Sequence, residues 1–268
     1  MLLPPKYLEA YWGIKPRVIV HVGAHEAEEL PLYQECSWGQ EKIVLVEALP
    51  EKAEQLRERF ANQPEVHVEQ ALAWNESGET RVFYEASNGE SSSALRFRDH
   101  SDLYPNIAVS GTHELETKRL SEISSINELR SIDLINLDIQ GSELRALQGL
   151  ADCLSNVEAV YSEINLREVY EGNSFISEID SFLSDRGFEL VDWEYVDDAW
   201  GDALWLRKVP FGPKALRRRA RRLHMRFANI FADVKPFSGR RPSSLCVFEV
   251  RCRAHLRPPT RKLKPPSN

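Results

Sequence analysis

Between residues 17 and 208, short β-branched and aliphatic runs alternate with longer segments of helical period, and this alternation restricts the chain to few folds. Strands separated by helices pair in parallel, with the helices covering both faces, so the pattern predicts an α/β, doubly wound, mostly parallel sheet of the Rossmann-like kind. The predicted strands are 17–22 (RVIVHV), 42–47 (KIVLVE), 66–72 (VHVEQAL), 132–138 (IDLINLD) and 157–165 (VEAVYSEIN). Helices are predicted over 26–36, from Pro50 onward, over 141–150 and over 174–186. Pro50 suits a first helical turn, where its missing N–H would have had no intrahelical partner. From about 75 to 120 the alternation weakens into Ser-, Asn- and Gly-rich sequence with one clear strand, 80–86, which reads as an inserted hairpin and loop region. The last two strands, 188–196 and 203–208, are expected to close the sheet as an antiparallel edge hairpin.

Charge divides the chain. Residues 207–268 hold 18 of the 34 Lys and Arg but only two of the 41 acids, Asp233 and Glu249. Such asymmetry marks an acidic body followed by a basic interaction element. The expected organisation is an N-terminal helical lead-in over 1–16, a catalytic-type domain over 17–209 and a basic tail over 210–268. Within the tail, Leu216, Ala220, Leu223, Phe227 and Ile230 form one apolar stripe over 214–231, surrounded by arginines. This amphipathic pattern fits peripheral contact with an anionic inner membrane surface, docking onto the acidic body, or, ranked last, nucleic acid. Beyond Pro236 the Arg-, Pro- and Ser-rich sequence is expected to be largely disordered. No run of about 18 apolar residues is present, and the opening MLLPPKYLEAYWG breaks any export signal with two prolines, so a cytoplasmic location is the default expectation. Cys36, Cys153, Cys246 and Cys252 lack zinc-ligand spacing and read as reduced thiols.

Ligands of open α/β sheets bind beyond the carboxyl ends of the strands. The first predicted strand runs into Gly23-Ala24-His25, and the second ends in Glu47, near the offset at which an acid accepts hydrogen bonds from a ribose diol. Taken singly, Gly23 could be a turn glycine and Glu47 a solvated acid; together they argue for a nucleoside. Only one glycine is present, and Glu26, Glu28 and Glu29 are expected in the first turns of the following helix, where a diphosphate would meet carboxylates. S-adenosylmethionine (AdoMet) carries the same adenosine, no phosphate and a cationic sulfonium. The residues therefore favour a methyl donor over a dinucleotide.

The segments VIVHVGAHEAEEL, VLVEALPE, IDLINLDIQGSELRALQGL, YSEIN and WGDALWLR resemble the successive motifs of the FkbM-type AdoMet-dependent methyltransferases, over roughly residues 17–208. The resemblance implies a class I methyltransferase fold and methyl transfer to an oxygen, often a sugar hydroxyl of a glycan, glycolipid or natural product. It also implies cofactor contacts from Gly23, Ala24, His25, Glu47, Ala48, Ala71, Asp138 and Gln140. The chain departs from the family at His21, His25 and Ala27, where Asp, Asn and Gly are common.

A hydroxyl acceptor must be aligned with the methyl group and must lose its proton. Asp138 and Glu163, at the ends of neighbouring predicted strands, are the candidate catalytic residues. For Asp138 the alternative is a helix N-cap. No metal is expected, because a hard-cation site needs oxygen ligands beyond this pair. His21, inside an apolar strand, reads as a structural imidazole; His67, His100 and His113 read as surface or loop residues. Ser91-Ser92-Ser93 lies in the insertion that could fold over an acceptor or form a plain loop, and Trp200 either stacks a sugar face or anchors a turn. The leading expectation is an O-methyltransferase acting on a carbohydrate, glycolipid or related small molecule. A non-catalytic AdoMet- or nucleoside-binding module and a nucleic-acid methyltransferase are the alternatives.

Overall fold

The computed structural model describes residues 1–35, 39–196 and 198–209. Residues Met1–Pro210 form one compact unit. The tail, with the stripe expected over 214–231, lies outside the described residues. The helices are α1 (Pro5–Tyr7), α2 (Leu30–Gln34), α3 (Pro50–Arg59), α4 (His100–Leu103), α5 (Ser124–Asn127), α6 (Glu143–Gly149) and α7 (Ile176–Ser184). The strands are β1 (Val18–Val22), β2 (Lys42–Glu47), β3 (Val66–Gln70), β4 (Leu72–Ala73), β5 (Thr80–Ala86), β6 (Val109–Lys118), β7 (Ile132–Leu137), β8 (Val157–Asn165), β9 (Phe188–Tyr195) and β10 (Trp200–Arg207).

Seven strands form one sheet in the order β3-β2-β1-β7-β8-β10-β9. Neighbours pair in parallel from β3 through β8, and β10 runs antiparallel to both β8 and β9. The winding direction reverses between β1 and β7, which opens a crevice at their carboxyl ends. β5 and β6 pair antiparallel in a smaller sheet with β4. Alternation along the strands feeds both faces. Val20, Val22, Val44, Val46, Ile135 and Leu137 pack with α6 and α7 residues Leu147, Ile179 and Leu183. Ile19, Ile43, Leu45 and Leu134 pack instead with Leu30, Tyr33, Leu56 and the lead-in residues Leu8 and Trp12.

Four elements differ from the sequence expectation, the simplest being the last strand, expected over 203–208, which begins at Trp200 and so places that residue in the sheet and not in a preceding turn. The helix expected over 26–36 occupies only Leu30–Gln34, because His25 and Ala27 adopt φ of 45° and 56°, left-handed values that no helix contains. The strand expected to reach residue 72 leaves the main sheet at Gln70, and Leu72–Ala73 pairs with β6 instead. The insertion contains a ten-residue strand, β6, that apolar alternation does not announce, since only two of its residues are buried. Among the described residues no helix is long and apolar enough to cross a membrane.

Candidate active site

The crevice is a cleft of about 450 Å³, reached by the ends of β1, β2, β7, β8 and β10 and by the 83–107 insertion. Gly23, His25, Glu47, Ala48, Ala71, Asp138, Gln140 and Glu163 all line it. Ala24 does not: it is buried with Ala27, Leu30 and Tyr33 beneath β1, where its methyl group fills the core. Gly23 has φ of 86°, and a Cβ there would lie 1.8 Å from the Asp138 carbonyl oxygen. The glycine is therefore required by the close approach of the β1 and β7 ends, in addition to leaving the crevice open.

Glu47 is held by two backbone amides. Its Oε2 accepts the His25 N–H at 2.8 Å and its Oε1 accepts that of Leu49 at 2.9 Å. Burial raises its pKa against the lowering effect of these bonds. The acids expected in the first helical turns sit ahead of the helix, which begins at Leu30. A diphosphate is disfavoured there for a second reason: four of the turn's amides are already engaged. The N–H groups of Gly23 and Ala24 bond Val46 O, that of His25 bonds Glu47, and that of Ala27 bonds Ala24 O. Of the acids, Glu28 and Glu29 line the cleft, while Glu26 pairs with Lys52 at 3.1 Å.

At the far end the carboxylates converge. Gln140 Nε2 donates to Asp138 Oδ1 and Glu163 Oε2, both at 2.8 Å, and Tyr170 OH donates to Gln140 Oε1. Gln140 itself has φ of 52°, and its carbonyl accepts the Ser93 hydroxyl at 2.7 Å. Asp202 is the register partner of Glu163 across β8 and β10, and it accepts bonds from Tyr161 OH and the Leu2 N–H. Burial, with Asp202 nearby, pushes Asp138 up to about 6. Burial, reinforced by Asp138, Glu143 and Asp202, raises Glu163 well above the usual carboxylate range. Desolvation thus shifts both carboxyls toward their protonated forms. Asp138 makes no side-chain cap bond to α6, whose N-cap residue is Ser142, so the helix-cap alternative is not the arrangement observed. Among the described residues no group of three His, Cys, Asp or Glu is placed to hold a metal ion.

His21 is buried on the opposite side of β1, edge-on to Tyr33, and desolvation lowers its pKa. His67 is exposed and His113 pairs with Glu85 at 2.9 Å. His100 departs from the surface role expected of it. It is buried, lines the cleft and stacks on Phe97 with ring centroids 4.0 Å apart. Ser91 and Ser92 line the cleft as well, so the insertion does fold over it. Trp200 lines it too, anchored by its Nε1 to Tyr104 OH at 2.7 Å. Sequence reasoning reached Asp202 and Asn165 only as neighbours of Trp200 and Glu163, and it gave no role to Tyr170 or Tyr104, which no sequence signal marks.

Residues 21–190 match the model of the methyltransferase FkbM domain. The chain belongs to that family. It is 26% identical over 182 residues to the 2-O-methyltransferase NoeI of Sinorhizobium fredii, covering 65% of this chain and 73% of that one. Among solved structures, it resembles the methyltransferase FkbM of Methylobacillus flagellatus, with TM-score 0.46, 14% identity and coverage of 72% of this chain and 44% of that chain. It also resembles the Aeropyrum pernix fibrillarin solved with bound S-adenosyl-L-methionine, with TM-score 0.43, 12% identity and coverage of 71% and 66%. This FkbM-family methyltransferase carries a Rossmann-like sheet whose crevice gathers the side chains that its sequence motifs single out, except for that of Ala24.

Proposed function

We propose that this protein is an AdoMet-dependent O-methyltransferase whose acceptor is a hydroxyl of a carbohydrate, glycolipid or related small molecule. The observation that carries the reading is the charge of the cleft. Eight Asp and Glu residues line it against one lysine, Lys52, and no arginine. A cationic sulfonium is attracted by such a lining, whereas phosphates are repelled. The donor set also fits: Glu47 keeps lone pairs for a ribose diol, and Ala48, Leu49, Leu72 and Phe83 offer an apolar wall of the kind an adenine ring needs.

AdoMet, when bound, supplies a methyl group activated for transfer to an oxygen nucleophile. The protein holds the acceptor hydroxyl at the Asp138–Glu163 pair and receives its proton there, on a carboxylate whose pKa of about 6 at Asp138 leaves it ionised yet usefully basic at neutral pH. Gln140 fixes both carboxylates in one orientation. Alignment within the closed cleft accounts for most of the expected acceleration, up to about 7–11 kcal/mol.

Calorimetry with AdoMet and with NAD tests the donor, and transfer of labelled methyl into a metabolite and glycan extract tests catalysis. AdoMet binds, NAD does not, and Asp138→Asn lowers turnover by about 10²–10⁴-fold. Firm binding of NAD without AdoMet overturns the reading. Binding of AdoMet without transfer to any fraction indicates a non-catalytic module, and label confined to nucleic acid indicates the third alternative.

A further inference from the structure

Asn165 ends β8, two residues beyond Glu163 and therefore on the same face of the sheet. It is 0% exposed and lines the cleft, yet neither amide atom, Nδ2 or Oδ1, finds a hydrogen-bond partner among the described residues. Buried amides left unpaired in this way are rare, because desolvation is not repaid. A second orphan lies in the same cleft. The imidazole of His100 is 2% exposed, and its Nδ1 has no partner among the described residues.

A continuous aromatic wall links the two. Trp200 is the cross-strand partner of Asn165 and bonds Tyr104 through its indole N–H. The Tyr104 ring lies 5.1 Å from that of His100, and His100 lies 5.5 Å from Tyr170. Tyr170 in turn bonds Gln140, which bridges Asp138 and Glu163. Starting from the proton-accepting carboxylates, the wall leads around the cleft to the two unpaired polar groups.

We propose that Asn165 and His100, set in this aromatic wall, form the acceptor subsite and select a sugar ring. This assignment rests on the methyltransferase reading. A pyranose presents an apolar C–H face and a rim of hydroxyls. The wall offers rings for the face, and the Asn165 amide offers a donor beside an acceptor, the pair that a vicinal diol satisfies. His100 Nδ1 supplies one further partner to a hydroxyl. A site built to hydrogen-bond hydroxyls rejects analogues that lack them, since its buried groups then stay unpaired.

The test uses the full chain, AdoMet and a panel of methyl glycosides of hexoses, 6-deoxyhexoses and N-acetylhexosamines. The variants are Asn165→Leu, close to isosteric, and His100→Phe, which keeps the ring stack. For the glycoside that wild type methylates best, each variant raises KM about tenfold or more, while the Kd for AdoMet stays within about twofold. Asn165→Leu also melts at a temperature equal to or above wild type, because it removes two unpaired buried polar atoms; a structural asparagine would give the reverse. Unchanged KM in both variants, or a loss of AdoMet affinity equal to the loss of glycoside affinity, overturns the assignment. Wild type that binds AdoMet but methylates none of the glycosides overturns it too and leaves the donor reading standing. Failure to bind AdoMet sinks both.

Discussion

Gly23 shows how one position can serve packing and ligand access together. Its positive φ and the absence of a Cβ let the β1 end pass against the Asp138 carbonyl, and the same absence keeps the crevice open. Gly23→Ala combines a left-handed alanine, about 1–2 kcal/mol, with overpacking against backbone, about 1–3 kcal/mol. Urea unfolding should therefore show a loss of about 2–5 kcal/mol, and a loss below about 1 kcal/mol would mean that the strand ends are not so close. Gly23, His25, Glu47, Asp138 and Glu163 were legible in the sequence because each follows or ends a recognisable strand. Asn165 also ends a recognisable strand, but its unpaired state and that of His100 were not legible, since an orphaned polar atom is defined by what surrounds it.

The turn from β7 into α6 depends on Glu143, the first residue of the helix. Its Oε1 accepts the N–H groups of Ile139 at 3.1 Å and Gly141 at 3.0 Å, while the side chain is fully buried. Burial holds its pKa up at about 7, compared with 4.5 in the unfolded chain. The fold thus favours the protonated acid, an advantage complete below about pH 4.5 and lost as pH rises through about 7. Glu143→Gln keeps the acceptor without the ionisation. Its stability relative to wild type should rise by something on the order of 3 kcal/mol between about pH 5 and pH 9, and a difference independent of pH would refute the buried ionisation. Glu143→Ala strands both amides and should destabilise at every pH. The β5–β6 hairpin offers the opposite case: its second strand is mostly exposed and polar, so alternation could not reveal it, and pairing with β5 fixes it instead.

Taken whole, the described body is a sheet with an acidic crevice, and on the proposed reading its charge should couple AdoMet binding to pH. The carboxylates at Asp138, Glu163 and Asp202 are all raised by burial, so a bound cation should draw them toward the ionised state and release protons. AdoMet affinity should accordingly increase from about pH 5.5 to pH 7.5, with proton release seen by calorimetry in two buffers of different ionisation enthalpy; equal affinity across that range would show that these acids do not face the donor. The alternation of apolar runs, the strand-end acids and the family motifs lay in the sequence by itself, because strand and helix periods are local and strand ends fall where those periods stop. Only the tertiary structure decided which acids share a cleft, where α2 starts, and that His100, Asn165, Tyr104 and Tyr170 line the same space. Those groups lie on separate elements, and their desolvation and unmet hydrogen bonds exist only once β8, β10 and the insertion close around one space.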